Sequence, residues 1–265
     1  MSAAASEASR HSASAAEPAT ADASDPIAVL HLDERFAVVD KPAGLMAHAS
    51  AMARGEDDFL VDRLRAQFGR PVHLVHRLDR ATSGCLLVAF DAATAAALGA
   101  GFMARETRKD YLAVCRGWPE ETIRVDHPLD GGPGKPEKKP ALTDIVRLGT
   151  GELALPSAQH PTSRYALVQC SPLTGRYRQI RRHLKHLHHH LVGDSSHGDG
   201  RHNRHFRMLG VHRMLLHAWQ LRFARPATDG CLRCARRWTR SSPGPLRCWR
   251  SPRRAPPVPT PDRHS

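Results

Sequence analysis

Cysteine is scarce in this chain and poorly placed. Six cysteines, Cys85, Cys115, Cys170, Cys231, Cys234 and Cys248, are scattered over 265 residues. That spacing does not suit a disulfide framework, which excludes a small stapled secreted scaffold and makes a reducing, cytoplasmic setting the simpler home. Long apolar runs are missing too. Residues 1–26 are dominated by Ala, Ser, Glu and Asp with a lone Arg10, so they lack the apolar segment of a secretory signal, and nothing in the chain reads as a membrane span. A stretch of that composition buries too little surface to fold, and it is expected to be a disordered tail.

Acidic residues are absent where a metal-dependent hydrolase would need them. Ten of the 18 histidines lie between His183 and His217, and imidazole is a common metal ligand. A helical His pair, however, needs a third ligand and a nearby base, as in H-E-x-x-H. The residues between these histidines are not acidic, and only Asp194 and Asp199 stand in the loop that follows. No metal site is expected, and solvated or phosphate-facing histidine is the commoner outcome. Cys231 and Cys234 have no second pair at zinc-ribbon spacing.

Positive charge is what the chain has in excess. The formal net charge is +13, but the nine arginines and one aspartate of residues 231–265 leave 30 basic against 25 acidic residues elsewhere. The better signal is local: from Arg164 to Arg213 ten Lys and Arg face only Asp194 and Asp199. Charge concentrated in this way fits a reader of phosphate backbones. The hydrophobic content of 41% is ample for a packed core, and the length suits one large domain or two small ones.

Strands and helices alternate along the chain. Phe36 to Asp40 reads as a strand stopped by Lys41-Pro42. Leu60, Leu64 and Phe68 recur at helical spacing before Gly69-Arg70-Pro71. Leu86 to Phe90 is an apolar strand, and Asp91 caps an Ala-rich helix reaching about Arg105. Tyr111 to Cys115 and Arg164 to Cys170 have strand character, while Asp130 to Pro140, rich in Gly, Pro and Lys, reads as a mobile loop. Ile180, Leu184, Leu187 and Leu191 form a helical stripe over Tyr177 to Val192, leaving Arg178, Arg181, Arg182 and Lys185 as a basic ridge. The mixture predicts an α+β domain around a largely antiparallel sheet.

The segment VHRLDRATSGCLLVAF, Val75 to Phe90, sets Asp79 between two arginines ahead of a Thr-Ser-Gly turn and an apolar strand. A guanidinium beside a carboxylate favours its ionised form, and an ionised, positioned carboxylate can act as nucleophile or base. A surface Arg-Asp-Arg ion cluster is the other reading of the same residues.

HRLDRATSG resembles the active-site motif of the RluA-type pseudouridine synthases. VVDKPAGLMAH at Val38 to His48, ETRKDYLAVCRG at Glu106 to Gly117 and SPLTGRYRQIRRHL at Ser171 to Leu184 match that family in the same order. PTSRYALV, MLLHAWQL and the histidine-rich run are most similar to its tRNA pseudouridine-65 synthase branch. The resemblance covers about Ile27 to Gly230 and implies one catalytic domain with the pseudouridine synthase fold, a mainly antiparallel mixed sheet with a central cleft and flanking helices. It implies isomerisation of a uridine in tRNA, near position 65 in the acceptor and T-stem region, by a cytoplasmic and monomeric enzyme without cofactor or metal. Asp79 is the implied catalytic aspartate, Tyr111 the tyrosine that stacks on the base, and Arg181 the arginine that pairs with Asp79. Arg77 is implied to fill the space of the flipped base, with Arg178, Arg182 and Lys185 binding substrate. One departure is visible: Arg178 stands where the family usually has His. No small RNA-binding domain resembling that of many relatives precedes the catalytic region, so recognition is expected from the catalytic domain itself.

The carboxyl end departs further. Residues 231–265 hold seven prolines and nine arginines and show no apolar periodicity, as if the reading frame of a GC-rich gene had changed. They are expected to stay unpacked and leave a sheet edge exposed. A basic RNA-binding tail is the functional alternative for this segment. For the whole chain, the alternative is a noncatalytic RNA-binding relative whose fold no longer closes.

Overall fold

The computed structural model describes residues 25–48, 57–157, 159–226 and 230–235. The expected tail at residues 1–26 lies almost wholly outside these.

One sheet organises the described residues. In order across it run β1 (Val29–Leu32), β2 (Phe36–Lys41), β4 (Ser83–Ala89), β11 (Leu216–Ala224), β5 (Arg108–Arg116), β10 (Ser163–Pro172), β9 (Leu142–Leu153) and β6 (Thr122–Asp126). The short β3 (His73–Leu74) pairs with β4, and β12 (Cys231–Ala235) with β11. Every pairing in this sheet is antiparallel except that of β4 with β11. This is the expected α+β architecture.

Helices cover both faces, so a central strand such as β4 is buried along its whole length and reads as an unbroken apolar run from Cys85 to Ala89. On one face, α1 (Leu60–Phe68) packs Leu60 and Leu64 against Ala37, Val39, Leu86 and Val88. On that same face, α3 (Gln179–His186) packs Ile180 and Leu184 against Ala113, Cys115, Ala166 and Val168. The other face holds α2 (Ala92–Met103), with Leu98 against Phe36, Val38 and Leu87, and α4 (Gly200–Met208), with Phe206 against Leu112, Val114, Tyr165 and Leu167. Tyr111 touches both clusters of the α1/α3 face, and so stands where two half-cores meet.

Local signals placed several of these elements. Gly69 ends α1 in the left-handed conformation, at φ 63°, and the Asp91 side chain accepts from the Thr94 N–H at 2.7 Å. Two expectations need correction. The helix predicted over Tyr177 to Val192 ends at His186, because Leu187 closes it and His188 turns left-handed at φ 59°. Leu191 is buried as expected, but through a bridge to Cys115 and not on a helix. The loop expected at Asp130 to Pro140 is bounded by a small hairpin, β7 (Leu129–Asp130) with β8 (Lys138–Lys139).

The chain beyond Gly230 also differs from expectation. Cys231 to Ala235 forms a strand on β11, where Cys234 is buried beside Phe36, Val38, Leu221 and Phe223. Leu232 and Cys234 alternate with exposed residues, a five-residue period of two hidden by the proline and arginine content of the 35-residue segment. The edge expected to be open is therefore paired. The rest of that segment, with Trp238 and Trp249, lies outside the described residues. None of the described helices is long and apolar enough to cross a membrane.

Candidate active site

Asp79 ends an irregular stretch before β4, and three devices fix it there. The Thr82 N–H donates to the Asp79 carbonyl at 3.0 Å, so the turn runs from Asp79 to Thr82, while Ser83 and Gly84, expected in the turn, already belong to β4. The Gly44 N–H donates to the Arg80 carbonyl at 2.9 Å, and Arg80 Nε returns a bond to the Gly44 carbonyl at 2.8 Å. Beneath both loops lies Lys41, whose residue exposure is 0%. Its Nζ donates to the carbonyls of Pro42, Arg80 and Thr82 at 2.8, 3.0 and 3.0 Å. Burial pulls its pKa down to about 8, although Asp79 nearby works in the opposite direction.

Lys41 was not expected as part of the site. It extends a strand that the sequence suggested would stop at Asp40, and its ammonium satisfies three carbonyls, of which only that of Arg80 is also shown accepting a second donor, the Gly44 N–H. Lys41→Met should lower the melting temperature and cut turnover together, each abandoned acceptor costing about 1–3 kcal/mol before water enters. Thermal denaturation and steady-state rates on one preparation check this.

His76, in the same stretch, also serves the frame. Its Nε2 accepts the Leu87 N–H at 3.1 Å, and its ring stacks on Phe102 at 4.6 Å between centroids. Burial first, then the nearby Lys109 charge, push its pKa down to about 3. The native state thus prefers neutral imidazole, and the resulting stability is present above pH ~6.5 and lost as pH falls towards ~3. Between pH 7 and pH 5 the loss should be about 2 kcal/mol in urea titrations. In His76→Gln, whose amide oxygen can accept without titrating, that part of the slope should vanish.

Arg181 brings distant parts of the chain together. From α3 its Nη1 donates to Asp79 Oδ2 at 2.8 Å, while Nε and Nη2 grip Asp194 Oδ2 and Oδ1 at 2.7 Å each. The expected pairing of Asp79 with Arg181 is thus present across 102 residues. Side-chain exposure falls from 26% at Asp79 to 6% at Arg181 and 0% at Asp194. The triad points from the cleft into the core, with Asp79 outermost. Burial alone would raise the Asp194 carboxyl, but the Arg181 hydrogen bonds and the N–H groups of His197 and Ser196 outweigh it and hold the pKa below the usual range. Burial likewise opposes the charge of Arg181, and its bonds to Asp194 and Asp79 overcome that and raise its pKa.

Tyr111 lies in β5 opposite Ala218 of β11 and Cys170 of β10. Burial, then the Asp79 charge, push its phenol well above its ordinary pKa, so it keeps its proton at neutral pH. The cleft floor depends on Gly84, at φ 113°: a Cβ there would lie 2.2 Å from the Ala218 carbonyl oxygen. This close approach is what allows β4 and β11 to pair in parallel beside Asp79.

The other predicted residues separate into two groups. Arg77 and Lys185 are exposed. Arg178 is the left-handed residue preceding α3, and its guanidinium lies over the Tyr177 ring at 4.8 Å. Arg182, expected on an open basic ridge, donates through Nη2 to Asp130 Oδ2 at 2.6 Å and through Nη1 to the Asp130 carbonyl. Its charge ties the β7–β8 hairpin to α3. The histidines of the rich run are largely used in the framework. His183 bonds Thr143 Oγ1 and the His127 carbonyl, His189 the Arg116 carbonyl and His190 the His197 carbonyl. Asp194 was weighed only as a metal ligand; its partnership with Arg181 spans a loop and leaves no periodic trace in the sequence.

A cleft with the Asp79 carboxylate held by a buried guanidinium and a protonated phenol in the strand nearby suits rearrangement of a nucleoside. Residues 35–186 match the family model for RNA pseudouridylate synthase. The chain belongs to that family and is an isomerase. It is 40% identical over 211 residues to tRNA pseudouridine synthase C of Vibrio parahaemolyticus, covering 76% of this chain and 86% of that one. It is 39% identical over 213 residues to tRNA pseudouridine synthase C of Salmonella typhimurium, covering 76% and 81%. Among solved structures, Human RNA Pseudouridylate Synthase Domain Containing 1 superposes with a TM-score of 0.67 at 28% identity, covering 88% of this chain and 90% of that one.

Proposed function

We propose that this chain isomerises a uridine of tRNA to pseudouridine, at position 65 in the acceptor and T-stem region, as a cytoplasmic monomer without metal or cofactor. The observation that carries the reading is the Asp79–Arg181–Asp194 triad, with Asp79 outermost. Relatives about 40% identical to this chain over the aligned residues are named tRNA pseudouridine synthase C.

The chemistry breaks the N-glycosidic bond, turns the uracil and rejoins it through carbon. Asp79, hydrogen-bonded by Arg181, attacks the anomeric carbon or removes a sugar proton. Tyr111 stacks on the base and, protonated at neutral pH, assists proton transfer. Arg77, exposed beside Asp79, fills the space left by the flipped uridine, whose extrusion costs a few kcal/mol. Arg178 and Lys185 meet phosphates. Arg182 contributes by holding the hairpin against α3.

The test is to incubate the purified chain with tRNA and map pseudouridine by base-resolved chemical labelling. A product confined to position 65 is expected. Product at another position would overturn the site assignment, and tRNA binding without product would replace the enzyme with a noncatalytic RNA binder.

A further inference from the structure

Away from the cleft, on the α4 face of the sheet, a concavity of about 420 Å³ opens between the end of β5 and α4, lined by Arg116, Asp199, Arg201, His202 and Arg204 among others. Its floor is already organised. Arg116 Nη1 donates to Asp199 Oδ2 at 3.0 Å, and Asp199 Oδ1 accepts the N–H groups of Arg201 and His202. Asp199 thus neutralises Arg116 and caps α4, which leaves Arg201 and Arg204, both exposed and without a carboxylate partner among the described residues. Three positions apart, they project from one side of the helix.

His202 adds an independent observation. Its residue is only 4% exposed, and its Nδ1 lies 2.7 Å from the Tyr165 hydroxyl. If that hydroxyl donates, the ring proton sits on Nε2, which has no partner among the described residues while the ring lines the concavity. Two guanidinium groups and an imidazole N–H converging on a polar bowl are donors suited to a phosphate.

The bowl is also joined to the catalytic triad. From the same helix, Asn203 Oδ1 accepts the Gly193 N–H at 2.7 Å and Asn203 Nδ2 donates to the Asp194 carbonyl at 2.9 Å. The helix that presents Arg201 and Arg204 therefore also fixes the turn carrying Asp194. Arg116 stands five residues along β5 from Tyr111, roughly 17 Å at the ordinary strand rise, a distance that RNA lying round the end of the strand can bridge.

We infer that this concavity binds a backbone phosphate of the tRNA whose uridine occupies the cleft, a second anchor that rests on the function proposed above. Arg201 and Arg204 supply the charge, and His202 supplies direction.

The experiment uses the full chain and the double variant Arg201→Ala/Arg204→Ala, with Arg207→Ala, which does not line the concavity, as control. Circular dichroism melts verify folding. For the double variant, the Kd for tRNA at low salt should rise about tenfold or more, and the slope of log Kd against log salt should flatten by about two. Its kcat should stay within about twofold of the parent. The control should retain more than half of the parent affinity. An unchanged Kd and salt slope in the double variant would overturn the anchor. So would a bowl that serves free phosphate, recognised when inorganic phosphate raises the melting temperature of the parent but not of the double variant while tRNA affinity is equal. Binding is read without turnover, so a chain that shows the expected affinity loss but makes no pseudouridine refutes the enzymatic reading and leaves the anchor standing.

Discussion

Asp79→Asn should reduce pseudouridine formation to background, a fall of at least about 10⁴-fold, while the Kd for tRNA changes by less than about threefold. The amide keeps the size of the side chain and can still accept from Arg181 Nη1, so the geometry of the cleft survives. What it loses is the negative charge that either route at the sugar requires. Single-turnover measurements with enzyme in excess separate this from slow product release. Turnover by the Asn variant within tenfold of the parent would remove Asp79 from the chemistry.

Asp194→Asn should show the second large effect, on stability as well as rate. Arg181 is nearly buried and balanced by two carboxylates, one of them wholly buried. Replacing the inner one leaves a buried guanidinium with a single ionic partner at the cleft, and breaking a buried pair costs about 3–5 kcal/mol. Arg181 should then follow Asp79 outward or lose its fixed position, and kcat should fall by on the order of 10²-fold with little change in KM. Denaturant unfolding and steady-state kinetics on the same variant check both. Retention of kcat alongside a large stability loss would restrict Asp194 to the framework.

The most legible features in the sequence were those with local causes. A glycine in the left-handed region ended α1, an aspartate capped α2, and the apolar run from Leu86 marked β4 as a strand. Of the candidate site, Asp79, Tyr111 and Arg181 were found through their motifs, and two of them meet at 2.8 Å. Features with tertiary causes were harder to read. Lys41 looks like the polar stop of a strand, and only the three carbonyls converging on it explain its burial. α4 buries His202 and Asn203 beside Phe206, so its inner face is mostly polar and leaves no hydrophobic stripe; the Asp199-Gly200 start was the one local sign. Arg182 read as free because its partner, Asp130, stands 52 residues earlier.

The parallel contact at Gly84 has a consequence for how the molecule is made. β11 lies between β4 and β5 in the finished sheet, yet it follows both in the chain by about 100 residues or more. Until it inserts, a nascent chain has two unpaired inner edges and no floor beneath Asp79. Long-range pairing of this kind is slow and aggregation-prone. Ribosome-bound chains arrested before Leu216 should be sticky and inactive, so the cleft is among the last parts of the protein to come into existence.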